Sequence, residues 1–201
     1  MVTRERLIEA SIDLFSHDGF DGTSLSAIAK EAGVTQPTLN YHFGTKRELY
    51  QDVIRHCGSQ WVAAIDVGDD LRDLSKLDSL RVVLRRLGQV IVGQEVVTRL
   101  MLQASMHPKF EGEVEAALRP GVEALTALLE NLMAAGTLRG VPPYVFISMF
   151  VDVLITTAGV ERVKSPLYGE DFSDPAVLDT LIDHLIDMLL AATMQVPPEG
   201  G

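Results

Sequence analysis

Between Thr23 and Tyr50 the chain reads TSLSAIAKEAGVTQPTLNYHFGTKRELY, three helix starts and two glycine stops in strict order. Leu25, Ile28 and Ala29 fall at i, i+3 and i+4, a single apolar helical face. Thr23 or Ser24 stands where an oxygen can accept an orphan amide at the start of that helix. Gly33 follows the last periodic residue, where a backbone with φ > 0 ends a helix at least steric cost. Thr35 is then placed to cap a second helix, with Pro37 in its first turn and Leu39 and Phe43 turned inward together. Gly44 is the second stop, and Thr45-Lys46-Arg47-Glu48 has the form of a capping box that opens a third helix. So ordered a set of signals predicts a helix-turn-helix followed by a capped helix.

The outer face of the second helix carries Gln36, Pro37 and Asn40, with Tyr41 at its edge. From residue 32 to 47 there is no acid, while Lys46, Arg47 and His42 are present, in a chain whose formal charge is −11. Gln36 and Asn40 can each make paired hydrogen bonds to adenine in a major groove, and Pro37 can touch a thymine methyl. Thr35, Tyr41, His42 and Lys46 suit phosphate oxygens, which fix register without reading sequence. Thr23, Ser24 and Thr38 complete the candidate DNA-contacting set. Residues 1–50 hold five basic and seven acidic side chains, so the excess negative charge lies mostly beyond residue 50. A net −2 is still poor for duplex affinity. Tight binding is therefore expected to need two reading heads and to weaken steeply with salt.

Residues 1–55 resemble the N-terminal domain of the TetR family of transcriptional repressors. The likeness rests on an opening helix with Ala10 and Phe15, then Gly19-Phe20, Thr23, Ile28-Ala29, Ala32-Gly33-Val34, Tyr41-His42-Phe43, Lys46 and Glu48-Leu49. The resemblance implies that Gln36 to Phe43 is the recognition helix, that Tyr41, His42 and Lys46 clamp the DNA backbone, and that Gln36-Pro37-Thr38 reads bases. Many family members carry an aromatic where this chain has Asn40, and glycine where it has Pro37. Both positions lie on the reading face, so no operator sequence is implied.

The rest of the chain predicts an all-α protein: 47% of residues are hydrophobic, only 6% are aromatic, and β-branched clusters flanked by turns are scarce. Two domains are expected, a DNA-binding domain over 1–50 and a helical effector-binding and dimerisation domain over 51–201. The third helix is expected to reach about Val67, with a break at Val67-Gly-Asp-Asp70. Further helices are expected near 75–92, 94–106, 109–135 (kinked or broken at Pro120-Gly121), 143–164 and 175–194, the last capped by Asp174-Pro175. The tail VPPEGG is expected to fray.

Tyr144 to Val160 is apolar almost all round, and the closing segment bears a stripe of Leu178, Leu181, Ile182, Leu185, Ile186 and Leu189. Together they hold more apolar surface than one chain can hide, which predicts a homodimer through a four-helix bundle. A two-fold dimer would set two recognition helices roughly 34 Å apart, the spacing of an inverted-repeat operator in double-stranded DNA. The family resemblance implies the same interface, and a small-molecule effector held among the central helices. Trp61, Ile65, Met101, Met106, Phe110, Phe146, Met149 and Phe150 are the large, adaptable candidates for a largely apolar effector site. Asp152 joins them, forming with Ser148 and Thr156 a polar stripe on an apolar helix, where an acid is costly unless it is paired.

Other chemistry is thinly represented. His107 lies at a helix boundary, His184 and Asp187 sit at i, i+3, and Cys57 follows His56; each reads as ordinary helix surface or packing. Gly44-Thr45-Lys46 lacks the upstream glycine spacing of a phosphate loop. No catalytic residue, metal or cofactor is assigned. A lone cysteine excludes an internal disulfide framework, MVTRERLIEA is too charged for a secretory signal, and no apolar run has membrane-spanning length. The reading is a ligand-responsive DNA-binding regulator of the cytoplasm without membrane attachment, a repressor by family habit. A helical protein-interaction module or a small enzyme with no DNA role is the alternative.

Overall fold

The computed structural model describes residues 2–66 and 75–194. Among the described residues there are ten helices and no strand: α1 (Val2–Gly22), α2 (Leu25–Glu31), α3 (Gln36–Phe43), α4 (Lys46–Ile65), α5 (Lys76–Gly93), α6 (Glu95–Ser105), α7 (Glu111–Ala134), α8 (Pro143–Gly159), α9 (Glu161–Tyr168) and α10 (Pro175–Thr193). The expected break at Val67–Asp70 and the VPPEGG tail lie outside the described residues.

The chain divides into two compact units, one of residues 1–60 and 94–118, the other of 61–93 and 119–201. A boundary after residue 50 therefore falls inside α4, and the unit that holds the helix-turn-helix is larger than sequence spacing suggests. The reason is aromatic packing from distant sequence. Phe15 meets Tyr50 at 4.7 Å between ring centroids, Tyr50 meets Phe110 at 4.6 Å, and Phe20 lies 4.8 Å from Phe110, mostly edge to face. α1 also packs along α6, and Gly58 lets α4 approach α7 so closely that a Cβ there would stand 2.7 Å from Ala117 Cβ.

In the second unit α5 packs against α8 and α10, and α8 also meets α10. Leu80, Leu84 and Ile91 of α5, Phe150 and Leu154 of α8, and Ile182 and Leu190 of α10 are fully buried. Outside this core Arg81 pairs with Asp187, Arg85 with Asp183, and Gln89 with Asp179, at 2.6–3.0 Å. α10 starts as predicted, the Asp174 carboxylate accepting the Ala176 N–H with Pro175 in the first turn.

Two segments differ from expectation. The helix foreseen over 143–164 ends at Gly159, because Gly159 and β-branched Val160 are weak helix formers and Val160 leaves helical geometry (φ −130°, ψ 28°). The chain restarts as α9. Conversely, the break allowed for at Pro120-Gly121 does not occur: α7 is one helix from Glu111 to Ala134 with Pro120 inside it. Gly121 packs against Ile65 and Val62 of α4, where a Cβ would come within 2.9 Å of Ile65 Cδ1, and this seat holds the turn that the proline weakens.

Candidate nucleic-acid interface

The local signals of the helix-turn-helix are met atom by atom. The Ser24 hydroxyl accepts the Ala27 N–H at 3.1 Å, opening α2. Gly33 turns the chain at φ 66°, a left-handed conformation that costs an L side chain, beneath the Arg6 guanidinium. Thr35 caps α3, its hydroxyl accepting the Thr38 N–H at 3.3 Å. At α4 the capping box is closed in both directions: Thr45 N–H donates to the Glu48 carboxylate at 2.8 Å, and Glu48 N–H donates to the Thr45 hydroxyl at 3.2 Å. The Thr45 hydroxyl also donates to that carboxylate at 2.7 Å, and this bond, then the one from the Thr45 N–H, holds the Glu48 carboxyl below the usual carboxylate range.

Leu39 and Phe43 of α3 are buried, as are Ile28 and Ala29 of α2, the helix α3 packs on. That orientation leaves Gln36, Pro37, Asn40, Tyr41 and His42 exposed on the opposite side, Tyr41 at 86%. Tyr41 and His42 lie edge to face at 5.4 Å. Thr35 and Ser24 are exposed and Thr38 is half-buried. This face offers two amides, four hydroxyls, an imidazole and a proline ring, and no carboxylate.

Two members of the predicted set behave differently. Thr23 is buried, and its hydroxyl donates to the carbonyls of Gly19 (2.8 Å) and Leu14 (3.2 Å). It ties the end of α1, which kinks at Gly19 (φ 70°), and offers nothing to a ligand. Lys46 is half-buried; its ammonium donates to the Asp21 carbonyl at 3.1 Å and sits 4.7 Å above the Phe20 ring. Sequence reasoning also passed over Arg4, whose guanidinium stacks 5.0 Å over Phe43 while pairing with Asp52 at 2.8 Å.

The residues proposed for an effector site do not come together as one set. Met101 and Phe110 are buried in the first unit, and Met106 lies 77% exposed at the end of α6. Trp61, Phe146 and Phe150 are buried in the second unit, with Ile65 half-buried. The Trp61 Nε1–H is buried without a hydrogen-bond partner. Met149 and Asp152 are exposed in the protomer, because α8 turns its Ser148–Asp152–Thr156 stripe outward. The acid is thus solvated in the protomer. An open groove of about 530 Å³ beside α10, lined by Phe172, Val177, Leu181 and His184 among others, contains none of the candidates.

Residues 7–53 match the family model described as bacterial regulatory proteins, tetR family. The chain is 27% identical over 148 residues to the HTH-type transcriptional regulator RutR of Escherichia coli, covering 73% of this chain and 69% of RutR. Over 54 residues it is 37% identical to the biofilm operon icaADBC HTH-type negative transcriptional regulator IcaR of Staphylococcus aureus, 27% of this chain and 29% of IcaR. Among solved structures, the transcriptional regulator FadR of Bacillus subtilis, in complex with stearoyl-CoA, superposes with a TM-score of 0.73 at 16% identity, over 93% of this chain and 97% of FadR. A transcriptional regulator of the same family from Shewanella gives 0.70 at 18% identity, over 96% of this chain and 99% of that one. These two likenesses concern the fold.

Proposed function

Since this chain belongs to the TetR family of transcriptional regulators, we propose that it binds an inverted-repeat operator as a homodimer, represses transcription, and releases the DNA when a small molecule binds beyond the reading head. One observation carries the DNA reading: Gln36, Pro37 and Asn40 stand uncovered by their own subunit on an acid-free helix face. Gln36, Pro37 and Asn40, with Thr38 beside them, read base edges; Ser24, Thr35, Tyr41, His42 and Lys46 hold phosphates. Repression follows the negative regulator IcaR, which is similar in this segment.

The second copy packs on the outward faces of α8 and α10. Tyr144, Met149 and Val153 on α8 and Met188 on α10 are exposed apolar residues in the protomer. Effector binding is assigned to the second unit, with Trp61, Phe146 and Phe150 as apolar lining and the unpartnered Trp61 N–H as a polar contact. FadR's stearoyl-CoA supports a largely apolar effector. Release requires that the effector bind the DNA-incompetent state more tightly, since equal affinity shifts nothing. The protein works in the cytoplasm and catalyses no reaction.

The test selects duplexes from a randomised pool with the wild-type chain and follows binding by fluorescence anisotropy. An inverted repeat should emerge. Gln36→Ala should relax its sequence choice, and Lys46→Ala should weaken all duplexes alike and lower the salt slope by about one. Recovery of no preferred duplex would remove the function; uniform weakening by both variants would remove the assignment of Gln36 to base reading.

A further inference from the structure

We infer that His107, in the turn between α6 and α7, is a positioning residue for the DNA-reading head: it fixes the end of α1 and, through it, the direction of the Lys46 ammonium. The inference rests on the DNA-binding reading above and adds a residue remote from the reading face.

His107 is locked into its turn. Its backbone N–H donates to the Ala104 carbonyl at 3.2 Å, and its carbonyl accepts the Phe110 N–H at 2.9 Å. The ring Nδ1 accepts the Lys109 N–H at 3.2 Å. A ring nitrogen that accepts carries no proton, so in the neutral imidazole the proton is assigned to Nε2. Nε2 faces the Asp21 carboxylate, at the end of α1, at 3.7 Å. That is beyond a hydrogen bond but close enough for electrostatic attraction. The ring also lies against Phe20 (6.0 Å, edge to face) and Phe110 (5.1 Å).

Phe20 and Asp21 are therefore gripped from two sides. From the turn come the His107 ring and Phe110. From α4 comes Lys46, over the Phe20 ring and bonded to the Asp21 carbonyl. An ammonium has three donors, and the Asp21 carbonyl takes one, leaving two for a phosphate. Lys46 opens α4 after a two-residue gap, Gly44-Thr45, from the end of the recognition helix. Its charge is directed by a dipeptide that hangs on the α1 kink at Gly19 and is pinned by His107. Arg47, the other cation of α4 at this corner, is already engaged. Arg47 donates to the Lys109 carbonyl at 3.4 Å and stands 3.7 Å from Glu113, to which Gln51 donates. His107 is the only ring in the turn that reaches across to α1 by a polar atom. Movement of the α6–α7 turn is thus conveyed to a phosphate contact.

The experiment measures affinity for the inverted-repeat duplex selected by the wild-type chain, at several salt concentrations, for wild type, His107→Asn, Asp21→Asn and the double variant. Asparagine keeps an oxygen for the Lys109 N–H in an Asx turn but does not extend to Asp21. Asp21→Asn changes a side chain 80% exposed and retains the carbonyl that Lys46 holds. His107→Asn should lower affinity roughly three- to tenfold, with the salt slope reduced by up to about one. In the Asp21→Asn background the same change should have little further effect, the signature of a coupled pair. His107→Gln, long enough to bring an N–H to Asp21, should restore part of the affinity. Unchanged affinity and slope in His107→Asn would overturn the inference and leave DNA binding standing, as would an equal loss in both backgrounds. A wild-type chain that prefers no duplex overturns both.

Discussion

At Cys57 and Tyr50 burial decides the chemistry. Desolvation pushes the Cys57 thiol up to about 12, against a weaker opposing backbone hydrogen bond. Desolvation, and secondarily the neighbouring Cys57, pushes the Tyr50 phenol up to about 12. Both groups are therefore held neutral around pH 7, and burial disfavours the thiolate that nucleophilic attack or metal binding would need. Cys57 should not react with Ellman's reagent at pH 8 until denaturant is added, and then stoichiometrically; rapid labelling of the folded protein would contradict this burial. Glu48 shows the opposite shift. Its carboxyl is depressed in the fold, so its contribution is fully present above the unfolded carboxylate range and is lost as pH falls through the folded value. Protection factors of the Thr45 and Glu48 amides, with the intrinsic pH dependence of exchange divided out, should fall as the pH is lowered from 7 toward 3, and Glu48→Gln should flatten that dependence. The capping box, the Thr35 cap and the Asp174 cap were legible because their partners lie within three residues. Thr23 was not, since its acceptors Leu14 and Gly19 come from α1 and depend on the kink there.

Between elements, packing and charge can be separated at the α5–α10 contact. Its outer edge is a ladder of Arg81–Asp187, Arg85–Asp183 and Gln89–Asp179, with the charged groups roughly half exposed. Exposed pairs of this kind contribute about 0–1 kcal/mol each. Its inner side is Ile182, fully buried against Gly88, where a Cβ would stand 3.0 Å from Ile182 Cγ2. Ile182→Ala should therefore cost about 2–4 kcal/mol in urea unfolding, whereas Arg85→Ala should cost under about 1 kcal/mol. Comparable costs would mean that the ladder, not the apolar seam, joins the two helices. The helix ends at α5, α6 and α10 could be read from Ser75, Gly93, His107-Pro108 and Asp174-Pro175. The break at Val160 could not, because Gly159 and Val160 only weaken a helix and do not dictate its end, nor could the continuity through Pro120, which turns on the seat of Gly121 against α4. The effector candidates scattered for a related reason: periodicity marks a residue as apolar and inward, but not the unit whose interior it enters.

For the molecule as a whole, charge and symmetry bear on one another. A chain with net charge −11, and −2 over its reading head, holds few cations with which to displace counterions from DNA. One head alone is left with a weak electrostatic grip, so tight binding must come from two heads on one duplex, where the second contact forms at high effective concentration. In the proposed dimer the outward faces of α8 and α10 join them. Met188 is 63% exposed on α10, outside the buried stripe of Leu178, Ile182, Ile186 and Leu189. In the protomer a charge at that position stays in water; in the dimer it would be buried without a partner, at a cost of several kcal/mol. Met188→Glu should therefore leave the urea midpoint of the monomeric fold nearly unchanged, shift sedimentation from dimer to monomer at micromolar concentration, and weaken binding to the full inverted repeat by about 10²-fold or more. Its affinity for a single half-site should match that of the wild-type chain. A variant that stays dimeric, or a monomer that binds the full repeat as tightly as wild type, would show that the pairing surface lies elsewhere or that one head suffices.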